Sequence, residues 1–389
     1  MSALAIASLC AFVGGFLFLI YIYWGYGAVL RLVVSRERRC DRSPASDELP
    51  RITVLLTVHN EEGNILARLG NLAEQDYPAD RFDIAVCSDG STDGTEALAE
   101  AFEAPCRISV IRSSRLGKSA AQTAAMPQVR GDIVVLTDAE ARFDREFLRA
   151  TARAFANPDV GCATAHVAFA ERAGGVAANQ GRYWAYELAL REMECRLGIL
   201  AVASGQAMAF RRDLFRPLPN FVGDDCVIPL DVVERGYRVV HCRDALAYDV
   251  MENEASREFR TRVRMTLRNW IGTWRYPALL NPFRNPGYAF ALWSHKLLRW
   301  VGWVGIVLMF FGSIGMLISA TAVPLALLFG LGLLVGAAGG VAESCNIKLP
   351  VANTVYSFLL ANTAFMIGVV RAMAGHQIVA YRSGSLRTY

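Results

Sequence analysis

The chain is poor in charge for its size. Charged residues make up 20% of its 389 positions and apolar residues 53%, and the mean hydropathy is +0.28. Soluble domains carry about 25% charge, so an ordinary soluble enzyme is excluded as the whole description. The deficit is local. Residues 1–30, 300–342 and 349–370 contain no charged residue at all, and each run reaches the ~20 apolar residues that cross a bilayer. The nine cysteines never form Cys-x-x-Cys, which argues against structural zinc and against a disulfide framework. Cys87, Cys162 and Cys226 lie near apolar runs and read as small buried thiols. The formal charge of +4 is too small a surplus to imply a nucleic-acid partner. The first 30 residues lack the basic start and short apolar core of a cleaved signal peptide.

The ends therefore read as membrane anchors. Residues 1–34 form a transmembrane helix, followed by a basic linker at 35–50 with Arg36, Arg38 and Arg39. Together with Arg31, these arginines place the next domain in the cytoplasm. The run 300–342 is long enough for two spans, with a break near Pro324, and 349–370 supplies another. This gives about three spans in 297–374 and four in all, with a tail at 375–389. Three C-terminal spans would put Arg382 and Arg387 outside, against the charge rule, so one segment is expected to be re-entrant or interfacial.

The middle of the chain alternates between two periods. "RITVLLTVHNEE" (51–62), "FDIAVCSDGSTDGT" (82–95), "RISVIRS" (107–113) and "DIVVLTDAE" (132–140) each read as a strand running into polar residues. Between them, "GNILARLGNLAEQ", "TEALAEAFEA" and "GKSAAQTAAMPQV" have helical spacing, with Thr95 a candidate N-cap. Strands alternating with helices predict an α/β domain with a mostly parallel sheet. A dinucleotide oxidoreductase needs Gly-x-Gly-x-x-Gly after its first strand. That turn here reads "HNEEGN", and its acids would repel a pyrophosphate.

The fourth strand ends in Thr137, Asp138, Ala139 and Glu140. Ligands of open α/β sheets sit at the carboxyl ends of strands. Two acids there either cap a turn or hold a divalent cation through hard oxygen ligands. Further along, "GDDCVIPLDVVERG" places Asp224 and Asp225 just before a helix that ends at Gly236.

The segments "TVHNEE", "SDGSTDGT", "GKSAAQ", "TDAEARF", "SGQAMAFRRDLF" and "GDDCVIPLDVVERGYRV" follow one another in this order. Their order and spacing resemble the GT-A domain of family 2 glycosyltransferases, more narrowly the membrane-embedded synthases of the cellulose, hyaluronan and poly-N-acetylglucosamine type. The resemblance covers about residues 51–275, with the GT-A domain at 51–255. It implies an inverting hexosyltransferase in a bacterial inner membrane, using a UDP-sugar and Mg²⁺ or Mn²⁺. It further implies that Asp89 accepts a hydrogen bond from uracil, with Thr57, His59 and Glu61 lining the same pocket. Lys118 would lie near the diphosphate. Asp138 and Glu140 match the DxD-type metal motif, with Asp138 the closer match because Glu140 is longer. The general base would be Asp225, beside Asp224. Ser204, Gly205 and Gln206 would line the acceptor.

"REFRTRVRMTLRNWIGTWR" (257–275) reads as an amphipathic interfacial helix rich in arginine, part of an interfacial stretch at 256–296 that can meet anionic headgroups. The family places a Q-x-x-R-W signature there. This chain has "RMTLRNW" instead, with Arg264 and Arg268 expected near the nucleotide and Trp270 near the acceptor. Trp270 lies about 200° around a regular helix from Arg268, so a helix break near Asn269 is expected to turn its ring toward the acceptor. The acceptor is a growing glycan, or a polyisoprenyl phosphate or glycolipid that receives a single sugar. A partner subunit is left open. A rival reading is a membrane transporter, or a nucleotide-sugar sensor without catalysis. Transporters show paired repeats and broken spans, which the sequence does not display.

Overall fold

The computed structural model describes residues 2–34, 49–170, 176–250, 254–345 and 347–378. Arg36, Arg38, Arg39, Arg382 and Arg387, on which the expected sidedness rests, lie outside the described residues.

The alternating middle folds as an α/β domain. Its strands are β1 (Ile52–Val58), β2 (Phe82–Asp89), β3 (Arg107–Ser113), β4 (Ile133–Thr137), β5 (Arg142–Phe143), β6 (Val160–Ala170), β7 (Ala207–Arg211) and β8 (Arg238–Val250). They form one sheet in the order β3-β2-β1-β4-β7-β6-β8-β5. β1 pairs in parallel with β2 and β4, β2 with β3, and β6 with β8. β1, β2 and β4 are buried along nearly their whole length, which is why they read as unbroken apolar runs. Each fully buried Val, Leu or Ile contributes about 1.5–3 kcal/mol. Cys87, Cys162 and Cys226 are buried free thiols.

Register puts the polar motifs at one edge. Leu56 pairs with Thr137 and Val58 with Ser88, so residues 59, 89 and 138 emerge together. β7 runs antiparallel to β4, with Ala207 opposite Thr137. The loop before β7, residues 203–206, is thereby carried to the same edge. Thr95 does not cap its helix. It is the first helical residue, and Asp93 Oδ1 accepts from its backbone amide at 3.1 Å and from its hydroxyl at 2.5 Å.

Among the described residues, three helices are long and apolar enough to cross a membrane: Ala3–Val33, Val323–Ser344 and Pro350–Met373. The expected fourth span takes another form. Pro286–Trp300 and Trp303–Ile318 are bent by 53° at a short break, and only together do they reach spanning length. The break anticipated near Pro324 lies just before it, with Pro324 in the first turn of Val323–Ser344. Ala3–Val33 packs closely against Trp303–Ile318. A methyl group at Gly312 would sit 2.8 Å from Ser8 O, the kind of backbone approach that small residues permit between membrane helices. The arginine-rich helix Ala255–Thr273 packs on Pro350–Met373, where a Cβ at Gly368 would sit 3.0 Å from Val263 O. It is thus a bridge between the α/β domain and a span.

Candidate active site

The edge formed by β1, β2 and β4 gathers most of the expected residues. β2 ends at Asp89, whose carboxylate accepts the backbone amides of Leu116 at 2.7 Å and Gly117 at 2.9 Å. His59 Nδ1 lies 2.9 Å from Asp89 O. Asp89 therefore folds the 115–117 turn onto the sheet, and Gly117, at φ +88°, starts the helix Lys118–Ala125. Thr57 Oγ1 is buried at the same edge without a hydrogen-bond partner among the described residues. It is an orphan that a ligand could satisfy. Glu61 is held by its neighbours: its amide donates to Thr95 Oγ1 at 2.8 Å and its carboxylate accepts from Asn64 at 2.8 Å.

That folded turn aims Lys118 across the edge. Its ammonium lies 2.8 Å from Asp138 Oδ1 and 3.3 Å from Asp224 Oδ2. Asp224 and Asp225 are the first two residues of the helix Asp224–Glu234 rather than a cap before it; Gly223 is the cap. Asp224 also accepts from Gln122 Nε2 at 2.9 Å. The 203–206 loop lies against this helix start. Ala203 N donates to Asp225 O at 3.3 Å, and a Cβ at Gly205 would sit 3.5 Å from Asp225 Cβ and 3.8 Å from Lys118 Nζ. Ser204 accepts from Arg191 at 2.7 Å, and Gln206 Nε2 donates to Asp249 at 3.0 Å.

Crowding four ionisable groups splits their protonation. Burial raises the Asp225 carboxyl and the charge of Asp224 raises it further; Lys118, Arg268 and Lys296 do not reverse this. Burial acts on Asp224 in the same direction, but Lys118, the Gln122 amide and Arg268 hold it below the usual carboxylate range. Desolvation opposes the Lys118 charge, yet Asp138 and Asp224 more than offset it and the group is raised. The result is one carboxylate fixed as an anion beside one whose proton affinity is raised, a division suited to proton transfer.

The break expected near Asn269 is absent. The helix Ala255–Thr273 runs straight through it, because Thr273 Oγ1 and Cys226 Sγ both contact Asn269 O and the turn packs on the helix below. Trp270, on this unbroken helix, is half-buried and packs with Trp274 and Trp300, with ring centroids 5.8 and 6.3 Å apart. Asn269 takes the place by the acids. A Cβ on Gly223 would overlap its side-chain oxygen and sit 2.6 Å from Asp225 Oδ1, so a larger residue there would displace both side chains. Arg268 reaches Ser119 Oγ at 2.8 Å and Val222 O. Arg264 lies one turn earlier on the same helix, and Glu140 lies half-buried two residues beyond Asp138.

Sequence reasoning missed Ser119, Gln122 and Asn269. The first two lie inside the quoted "GKSAAQ", at positions one and four after Lys118; i to i+4 spacing from Lys118 was a usable signal.

No group of three or more His, Cys, Asp or Glu side chains able to hold a metal occurs among the described residues. Asp138 and Asp224 nonetheless both present oxygens to one cationic group, Lys118. One or two carboxylates, completed by substrate phosphates, is the usual protein share of a Mg²⁺ site. The donor set fits.

A parallel-edged α/β sheet, with acids at β4 and at a following helix, is a GT-A fold. The family model described as glycosyltransferase like family 2 matches residues 50–272, and the chain belongs to that family. It is 24% identical over 261 residues to an N-acetylglucosaminyltransferase of Rhizobium sp. (strain N33), covering 62% of this chain and 58% of the relative. It is 31% identical over 128 residues to a beta-monoglucosyldiacylglycerol synthase of Synechocystis sp., covering 32% and 27%. The chain thus spans little more than half of one relative and about a quarter of the other. Among solved structures, a mannosyltransferase of Pyrobaculum calidifontis in complex with GDP-Man and Mn²⁺ superposes with a TM-score of 0.72. The match is 21% identical and covers 96% of this chain and 100% of that one.

Proposed function

We propose that this glycosyltransferase inverts the anomeric centre of a nucleotide-diphosphate sugar and passes the sugar to a lipid or a lipid-borne glycan at the cytoplasmic membrane face. The observation that carries this reading is the acid pair at the start of Asp224–Glu234, packed against the 203–206 loop and facing Lys118 and Asp138. Asp225, with its raised carboxyl, is the general base. A carboxyl lifted toward the working pH takes a hydroxyl proton more readily. Asp224 stays ionised and holds Lys118 in place.

The donor's base is read as uracil, received by Asp89, Thr57 and His59. Lys118 and Arg268 meet the diphosphate from the two helices that flank it. A divalent cation held by Asp138, with Glu140 beside it, would neutralise charge on the leaving diphosphate. Attack on the face opposite that leaving group turns an α-linked donor into a β-linked product. A single transfer is favoured over processive synthesis by the departure of "RMTLRNW" from the Q-x-x-R-W signature, with Trp270 packed against Trp274 and Trp300. The names of the relatives, one an N-acetylglucosaminyltransferase and one a glycolipid synthase, suit this reading.

The test is Asp225→Asn in the full-length protein, assayed with UDP-glucose, UDP-N-acetylglucosamine and GDP-mannose. Nucleotide binding should persist while turnover drops roughly 10²–10⁴-fold. Near-normal turnover removes Asp225 from the role of base.

A further inference from the structure

The helix Val176–Leu197 carries Glu187, Arg191 and Glu194 on one face, and that face is buried. Glu187 is 3% exposed, Arg191 5%, Glu194 1% and His295 1%. Such charges are retained only where they are paired. Glu187 gathers four partners: Arg191 at 3.2 Å, His295 Nε2 at 2.9 Å, Lys296 at 3.1 Å and Arg299 at 2.9 Å. His295 Nδ1 turns to Glu194 at 2.6 Å, and Glu194 also accepts from Tyr26 at 2.6 Å. Two candidate spans therefore meet in this cluster, Ala3–Val33 through Tyr26 and the bent segment through 295–299. Each carries one widened π turn there, Tyr21–Gly25 and Leu292–Leu297. The Tyr21 and Ser294 hydroxyls join the two turns at 2.8 Å. Widened turns of this sort collect at functional places in helices.

The cluster also reaches the site. Arg191 donates to Ser204 Oγ at 2.7 Å. Ser204 belongs to the loop whose neighbour Ala203 bonds Asp225 O. We propose that Glu187 is a positioning residue for the acceptor side: through Arg191 it holds the 203–206 loop against Asp225, and through His295, Lys296 and Arg299 it ties that loop to the helices that enter the membrane. Lys296, the most exposed of the partners at 19%, contributes to the field at Asp225. An acceptor arriving from the lipid would be met at this junction. The proposal rests on the reading of 203–206 as the acceptor loop.

The experiment uses full-length protein in lipid nanodiscs, with the three donors named above. The acceptor probes are dioleoylglycerol and a C55 polyisoprenyl phosphate. Wild type is measured first, and absence of sugar transfer with every pairing overturns the proposed function and this inference with it. With an active pairing in hand, Glu187→Gln removes the charge and keeps the shape. The acceptor KM should rise roughly tenfold or more, as expected for losing hydrogen bonds to a charged group, while the donor KM stays within about twofold. Arg191→Met should reproduce the split, and Arg191→Lys should restore much of it. If Glu187→Gln does not fold, Arg191→Met and Lys296→Gln each remove one spoke and are read the same way. A wild-type acceptor KM in these variants overturns the proposal. So do equal losses toward donor and acceptor, the mark of a merely structural role.

Discussion

Replacing Lys118 by Met would test the electrostatics of the site with a measurable sign. The ammonium is the cation that Asp138 and Asp224 share, at 2.8 and 3.3 Å. Its distance from Asp225 is bounded by Gly205, whose Cβ position lies 3.5 Å from Asp225 Cβ and 3.8 Å from Lys118 Nζ. Charges about 7 Å apart, at an effective dielectric near 20, interact by roughly 2.4 kcal/mol. At 1.36 kcal/mol per pKa unit, this is a shift of about one to two units. The cation favours the ionised form of Asp225, so its removal raises the carboxyl further. The pH profile of kcat/KM reports the free enzyme. Measured at fixed, saturating Mn²⁺, its acid limb should move upward by about one to two units in Lys118→Met. Lys118→Arg keeps the charge and should keep the limb. The height of the profile falls in both if Lys118 also meets the diphosphate, but the limb position is independent of that loss. An acid limb unmoved in Lys118→Met would refute either the base assignment or the coupling of these groups.

Three further outcomes follow from the same geometry. Chelation should abolish sugar transfer, Mg²⁺ or Mn²⁺ should restore it, and Asp138→Ala should not recover at any metal concentration; full activity in chelator returns the acids to a capping role. Arg268→Ala, which loses the contacts to Ser119 and Val222, should raise the donor KM about tenfold. Trp270→Ala should leave both KM values near wild type and instead lower thermal stability by about 3 kcal/mol, the low end for truncating a packed tryptophan.

Much of the fold was legible because local and tertiary preferences agree. β1, β2, β3 and β4 were readable as apolar runs closed by polar turns, and their parallel order followed from the helices between them. The acid positions were legible for the same reason: topology alone carries residues 89 and 138 to one edge, and β7 brings 203–206 after them. What stayed hidden depends on contacts between distant segments. Nothing local in the sequence marks Glu187, Arg191 and Glu194 as buried. Their burial is decided by His295 and Arg299, about a hundred residues away. The bend in the candidate fourth span also stayed hidden, because hydropathy sees composition and not the 53° turn at 301–302.

The unbroken helix Ala255–Thr273 is the most consequential of these differences. Residues 268, 269 and 270 are successive, so each points about 100° from the last. A break could have turned two of them to one ligand, but a continuous helix distributes them to three surroundings. Arg268 takes the 119–222 side, Asn269 covers Gly223 beside Asp225, and Trp270 enters the aromatic cluster at the start of the bent span. Sites built on rigid elements hold their geometry better than sites on loops. This helix also packs on Pro350–Met373 at Gly368. The same helix places the Asn269 side chain close to Gly223 and Asp225. The candidate spans thus pack toward Asp225 by two routes, through Asn269 beside Gly223 and through Arg191 and Ser204 in the 203–206 loop.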